Sequence, residues 1–372
     1  MRVSPEIESL IPYIPGKPIE ETKRELGLEH VIKLASNENP LGPSPKAVEA
    51  IHKACQDLAR YPDPTCFLLR ASLARKWNVA ADEIVIGNGS NELIDLLIRV
   101  FCEPGDKVIY PEKSFVAYSV CAQAARVSRM EIPVDAKFDW DVDKFLDNFK
   151  RNSRGNEKIL FIANPNNPTG TYLNQEKTKR LLDDLGGRED LLIVFDEAYN
   201  EYVRAADFPR ALDFYKQHSN VLVLRTFSKI YGLAGLRVGA LVGRREHLDF
   251  INRVRNPFNV NSLAQEATLA AMEDHEYLKE SQRVSWAGLD ALYPFLQERG
   301  LPYTPSQTNF VLFDTLRDGQ EVFQEAMKRG LLLRPLSSYG LPNHIRMSIG
   351  TAEEMKQAQG ILDQALAVVD KK

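Results

Sequence analysis

From about residue 34 to 255, short apolar runs alternate with amphipathic stretches. The runs are Ile84-Val-Ile-Gly87, Lys107-Val-Ile-Tyr110, Ile159-Leu-Phe-Ile162, Leu191-Leu-Ile-Val-Phe195, Val221-Leu-Val-Leu224 and Val238-Gly-Ala-Leu-Val242. Each is too short for a helix and is apolar at consecutive positions, which predicts strands buried on both faces. Between them, segments such as Asn91–Phe101 and Gln175–Leu185 read as surface helices. The alternation predicts an α/β fold, a mostly parallel sheet covered by helices on both faces.

The pattern differs on either side of this stretch. Residues 1–33 are irregular and proline-punctuated (Ile11-Pro-Tyr-Ile-Pro-Gly-Lys-Pro18), then enter a short charged helix. They hold too few apolar residues to fold alone and read as an N-terminal arm. After 256 comes a long helical tract, Asn261 to about Arg299. Shorter strands follow at Asn309-Phe-Val-Leu-Phe313, Leu331-Leu-Leu-Arg334 and His344-Ile-Arg-Met-Ser-Ile349, with a last helix from Thr351. The expectation is a large domain at 34–255 and a smaller α+β C-terminal domain at 256–372, with a ligand cleft between them.

The composition excludes several function classes. In 372 residues, 47 Lys and Arg face 51 Asp and Glu, so no global field calls for nucleic acid or an anionic membrane. No apolar run approaches the roughly 20 residues that span a bilayer. Met1-Arg-Val-Ser-Pro-Glu6 lacks the apolar core of a signal peptide, and the cytoplasm is expected. Cys55, Cys66, Cys102 and Cys121 show no C-x-x-C pair or zinc-like spacing and are expected to be reduced. The six histidines are scattered, so neither a metal site nor a histidine-led triad is expected.

Polar residues collect where the strands end, and open parallel sheets bind ligands outside the carboxyl ends of their strands. After Ile84-Val-Ile comes Gly87-Asn-Gly-Ser-Asn91. There Ser90 is expected to cap a helix whose first amides, near Ser90 and Asn91, face an anion. After Ile159–Ala163 comes Asn164-Pro-Asn-Asn-Pro-Thr-Gly170, a rigid loop that presents the Asn167 amide. Leu191–Phe195 ends in Asp196-Glu-Ala-Tyr199, a desolvated carboxylate that requires a cation. Val221–Leu224 leads into Arg225-Thr-Phe-Ser-Lys229, with Arg237 just beyond. A desolvated lysine can lose its proton and condense with an aldehyde. Ser228 and Arg237 suit a phosphate. Taken singly, the glycine turn, the Asp196 strand end and the Lys229 turn also fit ordinary structure; a plain proline-rich turn does not explain why so rigid a polar loop as Asn164–Gly170 ends a buried strand.

Together the pieces resemble the fold-type I pyridoxal-phosphate (PLP) enzymes of the aspartate-aminotransferase superfamily. N-P-x-x-P-T-G, the D-E-A-Y strand end, and S-K with an arginine eight residues past the lysine occur in the family's order. The resemblance implies that Lys229 joins the cofactor's aldehyde and later moves a proton between Cα and C4′. It implies that Asp196 pairs with the pyridine nitrogen and that Asn167 and Tyr199 bond the phenolic oxygen. Ser90, Asn91, Ser228 and Arg237 are implied to hold the phosphate.

Leu34-Ala-Ser-Asn-Glu-Asn-Pro-Leu-Gly42, Arg60-Tyr-Pro-Asp63 and Tyr13-Ile-Pro-Gly-Lys-Pro18 resemble the histidinol-phosphate aminotransferases in particular. That likeness implies a homodimer in which Tyr61 reaches the neighbouring subunit's cofactor phosphate. It also implies that Phe115 stacks on the pyridine where a tyrosine is common, and that Arg346 forks onto the substrate anion with Arg334 nearby. Tyr13 and Asn309 are placed in the same substrate pocket. The implied reaction is transamination between L-histidinol phosphate and 2-oxoglutarate. An aromatic (phenylalanine or tyrosine) aminotransferase and a phosphothreonine decarboxylase share this framework. A ligand-sensing domain of a transcription regulator would carry a winged-helix module, where this chain has about 33 residues before the shared signature.

Overall fold

The computed structural model describes residues 3–11 and 16–371. Strand β1 (Ile32–Lys33) is two residues long. The next seven are β2 (Ile84–Gly87), β3 (Lys107–Pro111), β4 (Ser128–Ile132), β5 (Glu157–Ala163), β6 (Leu192–Asp196), β7 (Val221–Thr226) and β8 (Gly239–Val242). They form one sheet in the order β2-β8-β7-β6-β5-β3-β4. Only β8 runs against its neighbours; β3 to β7 pair in parallel.

Alternate residues of these strands enter two different cores. Leu160, Ile162, Ile193, Phe195, Val223 and Val242 pack on one face, and Ile159, Phe161, Val194, Leu222, Leu224 and Leu241 on the other. A strand covered on both faces must be apolar at every position, which is why the runs stood out. Strand β4 was not expected. It lies at the sheet edge with only Ile132 fully buried, so Ser128-Arg-Met-Glu-Ile132 carries no apolar run.

The expected single helical tract from Asn261 to Arg299 is two helices, Ser262–Met272 and His275–Glu298. They part at Asp274, whose carboxylate caps the second helix and accepts from Ser44 Oγ at 2.6 Å. Val260, Ala264, Ala267, Ala271 and Met272 lie in the core on one face of the large sheet, so that core continues past residue 255.

A second sheet is built from β9 (Tyr303–Thr304), β10 (Phe310–Asp314), β12 (Arg334–Leu336) and β13 (Leu341–Ser348), in the antiparallel order β12-β13-β10-β9. Between β10 and β12 comes β11 (Leu331–Leu332), which pairs in parallel with β1. The core here includes Val311, Phe313, Ile345, Met347 and Leu362, and Leu34 of the N-terminal segment inserts among them. The helix Ala352–Val369 closes this core, its first turn held by Thr351 and Glu354 in a capping box. Residues 35–39 then cross from this sheet to the strand ends of the large one. Among the described residues, no helix is long and apolar enough to cross a membrane.

Candidate active site

Parallel strands β5, β6 and β7 end on the same edge of the large sheet, so the polar turns that follow them meet there. Ser90, Asn91, Phe115, Asn167, Asp196, Tyr199, Ser228, Lys229 and Arg237 line a single cavity. Ala163, Pro165, Ala198 and Thr226 complete its wall.

Asp196 ends β6 at 4% exposure. Its Oδ2 accepts from the Tyr118 hydroxyl at 2.7 Å, and Oδ1 has no partner among the described residues. Burial pushes its carboxyl up to about 6, against the opposing pull of the Tyr118 bond and the Ala198 amide. A buried carboxylate oxygen without a donor is costly and marks a place for a cationic or N–H partner.

The helix Gly89–Phe101 points its N-terminus into the cavity. The expected cap is corrected here: the helix starts at Gly89, with Asn88 as the cap residue, so Ser90 is inside the first turn, where it lines the cavity. Two glycines set the closeness of this corner. A Cβ on Gly89 would fall 2.5 Å from Arg237 Nη2, and one on Gly239 would fall 2.5 Å from the Ser90 nitrogen. Arg237 Nη1 donates to Ser228 Oγ at 3.2 Å and to the Ala234 carbonyl at 3.1 Å. Helix amides, two hydroxyls and a guanidinium therefore converge, the donor set of a phosphate site.

Lys229 follows β7, half-buried, and its Nζ donates to the Ser36 carbonyl at 3.3 Å. Tyr199 presents its ring to the same amine at 5.6 Å. The loop after β5 holds two cis bonds, Asn164–Pro165 and Asn167–Pro168. Arg346, on β13, donates to Asn167 Oδ1 and to the Ala35 carbonyl, the latter at 2.7 Å. Because Asn167 Oδ1 is taken by Arg346, the amide offers its N–H end to the cavity.

Among the described residues, four expected ones are not in the cavity wall: Arg346, which reaches it only through Asn167, and Asn309, Arg334 and Tyr61. Asn309 is 1% exposed, and its Nδ2 donates to the Asn37 carbonyl at 3.1 Å; it holds the crossing segment rather than lining the pocket. Arg334 is half-buried on β12, opposite Arg346 in the strand register. Tyr61 is 82% exposed and stacks on Phe258 with ring centroids 4.6 Å apart. Tyr13 lies outside the described residues.

A family model, aminotransferase class I and II, matches residues 29–362. The chain belongs to this aminotransferase family. A histidinol-phosphate aminotransferase from Bdellovibrio bacteriovorus is 48% identical, covering 98% of both chains. Histidinol-phosphate aminotransferase 2 from Pseudomonas aeruginosa is 41% identical, over 98% of this chain and 97% of that protein. The fold is the expected type I. It matches a histidinol-phosphate aminotransferase from Sinorhizobium meliloti, solved in complex with pyridoxal-5'-phosphate, with TM-score 0.87 at 26% identity over 99% and 98% of the two chains.

Two residues of this aminotransferase that bond to the cavity wall escaped the sequence reading. Tyr118 donates to Asp196, and Asn37, in the Leu34–Gly42 signature, donates to the Tyr199 oxygen at 2.9 Å. Nothing local marks either one, because their partners lie 78 and 162 residues away.

Proposed function

We propose that this chain is a pyridoxal-phosphate-dependent aminotransferase that exchanges an amino group between L-histidinol phosphate and 2-oxoglutarate, giving imidazole-acetol phosphate and glutamate. The observation that carries the chemistry is the convergence of the Lys229 amine, the unpartnered Asp196 Oδ1 and the Ser90–Arg237 donor corner on one cavity. Relatives named for histidinol phosphate over nearly the whole chain support the substrate.

The residues fit the cofactor. Asp196 Oδ1 suits a protonated ring nitrogen, and the corner opened by Gly89 and Gly239 suits a phosphate. When bound, pyridoxal phosphate supplies an aldehyde for the amine and a sink for the electrons of the broken Cα–H bond. In this reading Asp196 keeps the ring nitrogen protonated. Tyr199 and Asn167 donate to the phenolic oxygen, while Ser90, Asn91, Ser228 and Arg237 hold the phosphate. Phe115 packs on the ring face without a hydroxyl to offer. Lys229, as the freed amine, would take the proton from the substrate's Cα and then serve as the acid that hands it back. Arg346, already fixed by Asn167 and Ala35, presents its guanidinium to the substrate anion, glutamate carboxylate or histidinol phosphate alike, with Arg334 beside it on the next strand.

The active form is a homodimer in the cytoplasm, with Tyr61 serving the neighbouring site. The support is exposed apolar surface: Leu58 at 58%, Tyr61 at 82%, Phe67 at 68% and Leu68 at 62% lie close in sequence beside Phe258 at 38%. Such patches mark protein interfaces.

The test is a set of half-reactions of the purified protein with histidinol phosphate, phenylalanine, tyrosine and phosphothreonine, watched by cofactor absorbance. Histidinol phosphate is expected to convert the bound cofactor fastest, with no carbon dioxide released. Faster conversion by phenylalanine would reassign the substrate. Lys229→Ala should lack both turnover and the lysine-dependent visible band; retention of either would remove the scheme.

A further inference from the structure

Residues Ala35, Ser36 and Asn37 each bond a different side chain at or just behind the cavity wall: Ala35 through Arg346, which holds Asn167, Ser36 through Lys229 and Asn37 through Tyr199. The Asn37 contact differs from the other two because a side chain makes it, and because its polarity can be deduced. The backbone N–H of Asn37 donates to Ser348 Oγ at 2.9 Å. A backbone amide can only donate, so this oxygen is accepting. The Ser348 hydroxyl proton then goes to Asn37 Oδ1, also at 2.9 Å. With Oδ1 receiving that proton, the other end of the amide, Nδ2, is what faces Tyr199. The Tyr199 oxygen accepts from Nδ2 at 2.9 Å, so its own proton points away from Asn37.

We infer that Asn37 is a positioning residue that fixes the direction of the Tyr199 hydroxyl, making Tyr199 a proton donor toward the cavity. A phenol alone can either donate or accept. Here the choice is made by a chain that begins at a main-chain amide and cannot be reversed without moving the backbone. All of its members are buried: Asn37 and Ser348 are 1% and 2% exposed, and Tyr199 is 3% exposed, so water does not compete. The frame is rigid as well. Asn309 Nδ2 holds the Asn37 carbonyl, and the Ser348 amide donates to the Leu34 carbonyl at 2.9 Å. Asn37 itself adopts φ +56°, a left-handed conformation that asparagine and aspartate tolerate better than most side chains. Burial raises the Tyr199 phenol, and the Arg346 charge and the Asn37 bond oppose that rise, so the hydroxyl keeps its proton while remaining a usable donor.

The inference rests on the proposed cofactor, and its test uses the full chain loaded with pyridoxal phosphate. Asn37→Asp keeps the shape, the backbone conformation and an oxygen for Ser348, but turns an acceptor toward Tyr199 and draws the phenol proton away from the cavity. A donor at the cofactor's phenolic oxygen offsets its negative charge; without that donor the loaded protein holds a proton more tightly. The pH midpoint of the visible band is therefore expected to rise by about one unit, and the cofactor dissociation constant by on the order of tenfold. Ser348→Ala, which frees the amide to turn, should shift the midpoint less and in the same direction. Tyr199→Phe should match Asn37→Asp, and the double variant should add less than about twofold to either. A parent with the band and an Asn37→Asp variant that titrates like it would overturn this inference alone. So would an Asn37→Asp effect equally large in the Tyr199→Phe background. A parent that shows no visible band on loading would overturn the proposed function and this inference with it.

Discussion

Tyr118 gives its hydroxyl proton to Oδ2 of Asp196 at 2.7 Å, from a fully buried ring stacked on Phe161 at an interplanar angle of 6°. The bond turns the carboxylate so that its remaining oxygen is the one left for a ligand. Removing the donor by Tyr118→Phe leaves two buried carboxylate oxygens short of partners. The loss of a hydrogen bond to a charged group is worth about 1.5–3 kcal/mol, so cofactor affinity should fall at least about tenfold. Equilibrium titration of the cofactor-free protein with pyridoxal phosphate measures it; unchanged affinity would leave Tyr118 a packing residue.

Asp196 also makes the cofactor-free protein pH-sensitive. Its folded carboxyl is raised by burial from 3.8 to about 6, so between these values the folded chain holds a proton that the unfolded chain has lost. Its stabilising contribution is full below about pH 4, declines as pH rises through 6 and is gone above that; the whole span is roughly 3 kcal/mol. An asparagine at this position cannot ionise. The Asp196→Asn protein without cofactor should therefore be more stable than the parent at pH 8, with the advantage vanishing near pH 4. Urea melts from pH 4 to 8 check this, and parallel curves would refute it.

Gly239→Ala addresses the phosphate corner. Its Cβ would meet the Ser90 nitrogen at 2.5 Å and the Gly89 carbonyl carbon at 2.7 Å, both backbone atoms that cannot swing aside. The helix start must shift, at a cost of about 1–3 kcal/mol in overpacking. Thermal melting should drop, and pyridoxal phosphate affinity should drop by more than that of unphosphorylated pyridoxal. Equal losses for both ligands would place the phosphate elsewhere.

Arg225 and Glu197 form a buried ion pair just behind the site. Nη2 and Nε of Arg225 both reach Glu197 Oε2, at 2.6 and 3.0 Å, and Glu197 is 2% exposed. Arg225→Met leaves that carboxylate buried with only the Ala211 amide, at 3.1 Å, on its other oxygen. Breaking one side of such a pair costs about 3–5 kcal/mol. Adding Glu197→Gln should recover a good part of the lost urea midpoint. A single variant as stable as the parent would show that the pair is dispensable.

The sequence revealed what local pattern encodes. Strands β2, β5, β6, β7 and β8 carry unbroken apolar runs because both faces are covered there, and the turns that leave several of them carry the cavity residues. Strand β4 was missed because an edge strand needs only backbone pairing, and Ser128-Arg-Met-Glu supplies no period. The break at Glu273-Asp274 was missed because its cause is a cap whose second partner, Ser44, is far along the chain. Asn309 carried the right chemistry to line a pocket, but its amide is used on the Asn37 carbonyl, a contact no spacing rule foretells.

Asn37 and Ser348 exchange two hydrogen bonds across 311 residues of chain. The segment that orients Tyr199 is thus made 311 residues before its anchor. During synthesis the large sheet can assemble and bring Lys229, Asp196 and Tyr199 together well before residue 348 exists. Until then the crossing segment has no partner to lock it, so the pocket takes shape before its hydroxyl is aimed.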